Sequence, residues 1–413
     1  MKDKGFLLCV MLAIFSISCE YGITRPASHS LLLTHFSANI IPWIWLATVP
    51  FNLIIVSLYN RYLSRIGPLV MLGTVAGLTV FINTISPFIV SSCPEWILFQ
   101  FAWKDIYILL MFKQVWSLIH SSSLAGRAKV LYGLIYATGT VGAILGSLVP
   151  GFLAVELGSA KLFLFTLPIY LVLFLGYRKA LNLQQGTISS DTLRELRDTS
   201  QASTGFAVIR RSPFLIAVLG LVLLMQTLVG LMEFQFSSYL ALEIPSLDLR
   251  TEYMGRVLSL TNLGSGVLQL VGAGFLIHFF GVRGSHLAVP LVLLANVAGL
   301  FIMPSFAFLS FAFIFTKAVD FSLFGILREM LYIPLSVAEK FQAKAVIDVF
   351  VHRSAKAVVS LAILGLNLWA GAECLSWLNP VAAGLLVMWI GIVWFYVGNV
   401  VKRPSLNDTV LKN

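Results

Sequence analysis

Charged side chains are scarce in this sequence. Asp, Glu, Lys and Arg make up 11% of its 413 residues, where soluble domains carry about 25%. With 58% hydrophobic residues and a mean hydropathy of +0.91, the chain has more apolar surface than a soluble fold can bury, which leaves an integral membrane protein. The two-residue alternation of a membrane barrel is missing, so the spans are helices. Its four cysteines, Cys9, Cys19, Cys93 and Cys374, are scattered. No paired spacing suggests zinc or a redox motif, and they say nothing about compartment. The six histidines form no metal pattern. A phosphate-cradling GxxxxGK[ST] loop is absent, which excludes a built-in ATP motor. G-x-S-x-G and H-E-x-x-H are absent too. Neither an enzyme nor a cofactor or metal is expected.

What the chain does have is long apolar runs. A bilayer-spanning helix needs about 20 mostly apolar residues. Twelve candidates are legible, at about 6–24, 38–60, 67–90, 96–120, 130–155, 160–178, 213–240, 255–279, 286–303, 306–333, 350–371 and 378–401. The start, "MKDKGFLLCVMLAIFSISC", imitates a secretory or lipoprotein signal. Because many spans follow, we read it as an uncleaved first helix. The polar segment 179–212 separates two six-helix halves, 1–178 and 213–401, and 402–413 forms a tail. The formal charge of +10 is distributed by side and is not a nucleic-acid signal. Lys2, Lys4, Arg61, Arg65, Arg127, Lys129, Arg178, Lys179, Arg194, Arg197, Arg210, Arg211, Arg283, Lys340, Lys344, Lys402 and Arg403 fall on one side. The other has chiefly Arg25, Lys161, Arg250 and Arg256. The positive-inside rule then puts both termini and the 179–212 segment in the cytosol. Asn407-Asp408-Thr409 matches a glycosylation acceptor, discounted because the tail is cytosolic.

The halves echo one another. Glu20 meets Glu233 at an offset of 213, Gly67 meets Gly281 at 214, and Asp105, Lys113 and Ala128-Lys129 meet Asp320, Arg328 and Ala343-Lys344 at 215. This indicates a parallel internal repeat. Charges deep in spans cost about 2.5–3.5 kcal/mol each at mid-span and usually mark a polar interior. Here they are Glu20 on span 1, Lys104, Asp105 and Lys113 on span 4, Glu233 on span 7, and Lys317, Asp320, Arg328 and Glu329 on span 10. Spans 1, 4, 7 and 10 are those that line the central cavity of a twelve-helix transporter of the major facilitator type. Lys113 and Arg328 then offer one cation per half to an anionic substrate. Glu20 and Glu233 could neutralise them, carry protons or contact a ring nitrogen. Trp116, one turn from Lys113, could stack on a base, although an aromatic on a buried helix is more often packing. Glu329 and Asp320 cannot both face the interior. Gly142 and Gly146 on span 5 read as a close helix contact, for which span 11 has Ala355, Ala357 and Ser360.

One stretch is unusually charged for this chain: "REMLYIPLSVAEKFQAKAVIDVFVHRSAKA", residues 328–357. It resembles the signature of the nucleotide transporter family of bacteria and plastids, the non-mitochondrial ATP/ADP translocases, in Glu329, Tyr332, Pro334, Leu335, Lys344, Ala345, Asp348 and Lys356. "FKQVWSLIHSSSLAGRAKVLYGLIYATGTVGAILG" and "ITRPASHSLLLTHFSANIIPWIWL" resemble two more of its segments. The second is similar to the family's first loop and second span. The resemblance implies a major facilitator fold, all helical, with about twelve spans in two pseudo-repeats, and nucleotide exchange. It also implies that Glu233 and Lys344 keep two of the family's embedded charges. The other two fall at His35 and Ser121, which sets the chain apart as a divergent bacterial member. The expected candidate residues are Glu20, Arg25, Asp105, Lys113, Trp116, Glu233, Asp320, Arg328, Glu329 and Lys344. The expected protein is a monomeric secondary transporter of a bacterial inner membrane for a small anion, with a nucleotide or related phosphorylated metabolite favoured. Its partners are that substrate and the lipid bilayer, with no nucleic acid. The alternatives are a proton-coupled carrier of another organic anion and a non-transporting receptor or scaffold.

Overall fold

The structure, a computed structural model, describes residues 2–120, 128–184, 209–332, 335, 347 and 352–397. Most of the polar segment, Ser121, Lys344 and the 402–413 tail lie outside the described residues. Among the described residues there is no strand. The helices are α1 (Lys2–His35), α2 (Ile40–Ile66), α3 (Pro68–Ile89), α4 (Trp96–His120) and α5 (Ala128–Leu157). They continue with α6 (Ser159–Leu183), α7 (Pro213–Glu243), α8 (Leu247–Gly272, then Gly274–Gly281), α9 (Arg283–Ile302) and α10 (Phe306–Leu331). Last come α11 (His352–Ala370) and α12 (Cys374–Ile392). Each corresponds to one span expected from the sequence.

Nine of these helices are long and apolar enough to cross a membrane by length and composition. A tenth is α8 if its two segments, bent by 44° at their junction, count as one span; the other two are α4, with Lys104, Asp105 and Lys113 along its length, and α11, the shortest apolar one. The helix α1 runs to His35, well beyond the expected end at residue 24, so Arg25 is helical and not in a loop. Pro26 inside it removes one backbone donor. Hydroxyls near it bond other backbone carbonyls: Thr24 Oγ1 donates to Glu20 O at 3.2 Å and Ser28 Oγ to Arg25 O at 3.2 Å.

The repeat is visible in backbone geometry. Four described glycines have positive φ, and they form two pairs. Gly67, between α2 and α3, has φ 79° and ψ 165°; Gly281, between α8 and α9, has φ 64° and ψ 178°. Gly158 precedes α6 with φ 87°, and Gly371, 213 positions on, precedes α12 with φ 54°. An L side chain is strained at such angles, so glycine is required at both copies of each turn.

Contacts divide the chain into two compact units. The first comprises Met1–Ile40, Pro50–Asp198 and Leu240–Leu263, and the second Ile41–Val49, Thr199–Tyr239 and Gly264–Asn413. In the first unit α1 is the hub, packed on α4, α5 and α6. Gly142 and Gly146 face it. A Cβ at Gly142 would lie 2.6 Å from Phe15 O, and one at Gly146 would collide with Cys19 O. Gly22 on α1 answers them: its Cβ would lie 2.8 Å from Ser147 N. Small residues on both helices therefore let the backbones touch. The beginning of α8 also belongs to this unit. Asp248 accepts from Ser159 N at 2.7 Å. Buried Arg250 donates to Ile244 O, Pro245 O and Thr34 Oγ1 at 2.9, 3.0 and 3.2 Å. In the second unit the small residue has changed helix: Gly230 on α7 meets Val359 on α11, 2.9 Å from its Cβ position. Phe236 stacks on Phe313 at 4.4 Å and 4°, fixing α7 against α10.

Candidate functional site

The first unit holds a polar cluster inside its apolar core. Glu20 is 2% exposed. Its Oε1 accepts from the Tyr170 hydroxyl at 2.7 Å. Asn83 Nδ2 donates to Tyr170 Oη at 3.0 Å and Thr166 Oγ1 at 3.1 Å, and Gln100 Nε2 reaches Asn83 Oδ1 at 3.4 Å. The Tyr107 ring stands edge-on to Tyr170, centroids 5.6 Å apart. One turn from Gln100 on α4, Lys104 is 7% exposed; its Nζ pairs with Asp105 at 3.0 Å and lies 3.9 Å from the centre of the Phe101 ring. Tyr21 also donates to Asp105, at 3.0 Å, and Arg25 lies 5.7 Å from the centre of the Tyr21 ring. Glu20, Arg25 and Asp105 are therefore neighbours, joined through Tyr21 and α1.

The second unit carries a counterpart. Lys317 Nζ, 4% exposed, pairs with Glu233 Oε2 at 2.6 Å. Asp320 opens a π turn, Asp320–Phe324, and accepts from Gln226 Nε2 at 2.8 Å. Arg328 on the following helical turn lies within the electrostatic range of Asp320. π turns inside helices frequently mark functional positions. Glu329 is exposed, consistent with its lying away from Asp320 on the helix.

Lys104 and Lys317 were among the embedded charges but not among the candidate residues expected to act. They stand 213 apart, as do Glu20 and Glu233, Asn83 and Asn296, and Ser147 and Ser360. Asn83 and Asn296 are both buried and both donate toward the neighbouring helix, Asn296 to Ala312 O at 3.1 Å and Thr316 Oγ1 at 3.2 Å. A register of 213 therefore describes the α4 and α10 pair better than 215. It sets Lys104 against Lys317 and puts Tyr107, not Asp105, opposite Asp320. The signal is present in the sequence as the common spacing of 213 in these four pairs.

Lys113 and Trp116 lie apart from this cluster. Lys113 is eight residues beyond Asp105 on α4, about 12 Å along the axis. Its Nζ donates to Asn60 Oδ1 at 2.6 Å and lies 5.5 Å from the centre of the Tyr59 ring. Trp116 packs against the core and against Tyr136, centroids 5.6 Å apart, the packing role anticipated for it. Lys344 lies outside the described residues. No group of three or more His, Cys, Asp or Glu side chains suited to a metal occurs among the described residues.

A helical membrane protein with two repeats and buried charge at equivalent positions has the architecture of a major facilitator transporter. Solved structures share that fold. The nucleoside transporter NupG matches over 94% of this chain and 99% of its own, with a TM-score of 0.67 at 14% identity. A bacterial homologue of the human lysosomal transporter Spinster matches over 95% and 94%, with a TM-score of 0.54 at 13% identity. In sequence, residues 305–403 match the family described as TLC ATP/ADP transporter. "ADP,ATP carrier protein 1" of Chlamydia pneumoniae is 28% identical over 227 residues, and "ADP,ATP carrier protein 2" of Chlamydia trachomatis serovar D is 27% identical over 222. These matches cover 50% and 48% of this chain and span less than half of the carriers' own length, 44% and 41%. The likeness to these carriers is therefore partial, and the family match of residues 305–403 includes the stretch 328–357 in which the resemblance was read.

Proposed function

We propose that this protein is a secondary transporter that moves an anionic substrate by alternating access, with a nucleotide or related phosphorylated metabolite favoured. The observation that carries the reading is the match of residues 305–403 to the ATP/ADP transporter family, because that stretch contains Lys317, Asp320, Arg328 and Lys344. Buried ionisable groups in both units support it. A charge inside a membrane protein is costly, and a scaffold or receptor has no need to keep Glu20, Lys104, Glu233 and Lys317 there. In this reading the two six-helix halves 1–178 and 213–401 are the moving bodies. Both termini and the 179–212 segment face the cytosol of a bacterium, across its inner membrane, and the working unit is a monomer without enzymatic activity. Cationic side chains, Lys113, Arg328 and Lys344 foremost, neutralise the substrate phosphates, and Glu233 keeps its place beside Lys317.

The test is uptake of a panel of labelled nucleotides, nucleosides and sugar phosphates by cells expressing the protein. Accumulation of nucleotides above vector controls, competed by unlabelled nucleotide, is the expected result. Uptake of nucleosides alone would remove the phosphate from the proposal.

A further inference from the structure

We infer that Glu20 is a proton-binding site inside the first unit, and that its protonation couples transport to a proton gradient. The coupling rests on the transport reading above; the protonation does not.

The argument begins with donors and acceptors. An ionised carboxylate offers two acceptor oxygens, and a buried one needs donors for both. Glu20 Oε1 has Tyr170. Glu20 Oε2 is buried and has no partner among the described residues. Two other buried oxygens of the same network, Gln100 Oε1 and Tyr107 Oη, also have none. The Tyr170 O–H is directed to Glu20 Oε1 and the Asn83 N–H groups to Tyr170 and Thr166, while the Tyr107 hydroxyl can donate as well as accept. Glu20 Oε2 and Gln100 Oε1 are thus buried acceptors without a donor. A proton on Oε2 turns one of those acceptors into a donor and removes the charge from an apolar interior.

The groups around Glu20 leave that role to it. From α4 it is faced by Lys104 and Tyr107, from α6 by Tyr170, and from α3 by the neutral Asn83. On its own helix Cys19 and Tyr21 adjoin it, with Arg25 further along. The ionisable side chains described on α5, Tyr136 and Glu156, are exposed, as is Lys161 at the start of α6. Lys104 is close enough for Glu20 to feel its charge, yet its ion pair is with Asp105. The second unit arranges the same two positions differently, with Lys317 paired directly to Glu233. One copy of the repeat is thus a closed ion pair, and the other has a carboxylate held by neutral donors. The second arrangement is the one that can take up and release a proton without breaking a salt bridge.

Infrared difference spectra of the purified protein in lipid, recorded between acid and alkaline buffer at fixed sodium, read the protonation directly. The wild type should show a protonated carboxyl band that titrates, that Glu20→Gln removes and that Asp105→Asn retains. Tyr170→Phe deletes the donor to the ionised form, so the same band should titrate at higher pH. A band indifferent to Glu20→Gln overturns the site, and so does one that responds to sodium at fixed pH. In proteoliposomes loaded on one side with labelled ATP, a gradient of one pH unit can drive up to about tenfold accumulation per coupled proton. The ratio of uptake with and without the gradient should exceed one in the wild type and fall to about one in Glu20→Gln, whatever the variant's absolute rate. A ratio of one in the wild type overturns the coupling. Absence of any ATP uptake alongside a titrating Glu20 band supports the proton site and removes the nucleotide reading.

Discussion

Lys317 and Glu233 form a pair whose value lies in both members being present. Removing one partner of a buried ion pair typically costs about 3–5 kcal/mol, because the other charge is stranded, whereas replacing both by neutral groups of similar size is often tolerated. Lys317→Met and Glu233→Gln should therefore each lower the melting temperature of the detergent-purified protein and its abundance in the membrane. The double variant should recover most of both. If the singles and the double melt alike, the pair has no structural role. For Lys113 and Arg328 the expectation concerns substrate. A charge-assisted contact contributes about 1.5–3 kcal/mol, so Lys113→Ala and Arg328→Ala should each weaken uptake roughly tenfold to a hundredfold at near-normal abundance. Full uptake by the double alanine variant would leave both residues as interfacial charges with extended stems. The chemistry of these residues was legible in the sequence because ionisable groups are conspicuous in an apolar helix. Their partners were not: Lys104 takes Asp105 and Lys317 takes Glu233, and nothing in the residue types distinguishes those choices.

Among the helices, the contact between α1 and α5 depends on glycine. A Cβ at Gly146 meets backbone, Cys19 O, which cannot rotate away as a side chain can. Overpacking generally costs about 1–3 kcal/mol, and Gly146→Val should fall at or above the top of that range. Thermal unfolding by fluorescence-detected size exclusion should show a clear loss for Gly146→Val. Gly133→Ala, where nothing lies within 4 Å of the new methyl, should be close to neutral. Equal melting of the two variants would mean that α1 and α5 are not in backbone contact. The spacing of Gly142 and Gly146 suggested such a contact, but the partner helix was not legible. In the other repeat copy the small residue is Gly230 on α7 facing Val359, a swap that only packing reveals. The extension of α1 through Pro26 was likewise missed, because Arg25-Pro26 reads locally as a loop. The packing of α1 on α4, α5 and α6 holds the helical path there.

For the whole molecule, the arrangement across the membrane is open to direct measurement. Cys93 is exposed between α3 and α4, and Ser246 is exposed between α7 and α8. We propose, from the charge asymmetry, that both lie on the outer side. An impermeant thiol reagent applied to intact cells should label Cys93. In a Cys93→Ser background it should label Ser246→Cys and miss Ser190→Cys, a position outside the described residues, until the membrane is permeabilised. The opposite pattern inverts the topology. The sequence alone determined the class of protein, the twelve helical segments and which of them carry charge. Hydrophobicity over 20 residues and the cost of charge in hydrocarbon are local properties, written in composition. The internal repeat was also written there, in offsets near 213. Only the tertiary structure decided the partners: Glu233 for Lys317, Asp105 for Lys104, and the Tyr170 hydroxyl for Glu20. Those depend on the rotation and axial position of helices packed through residues far apart in the chain, which no local pattern encodes.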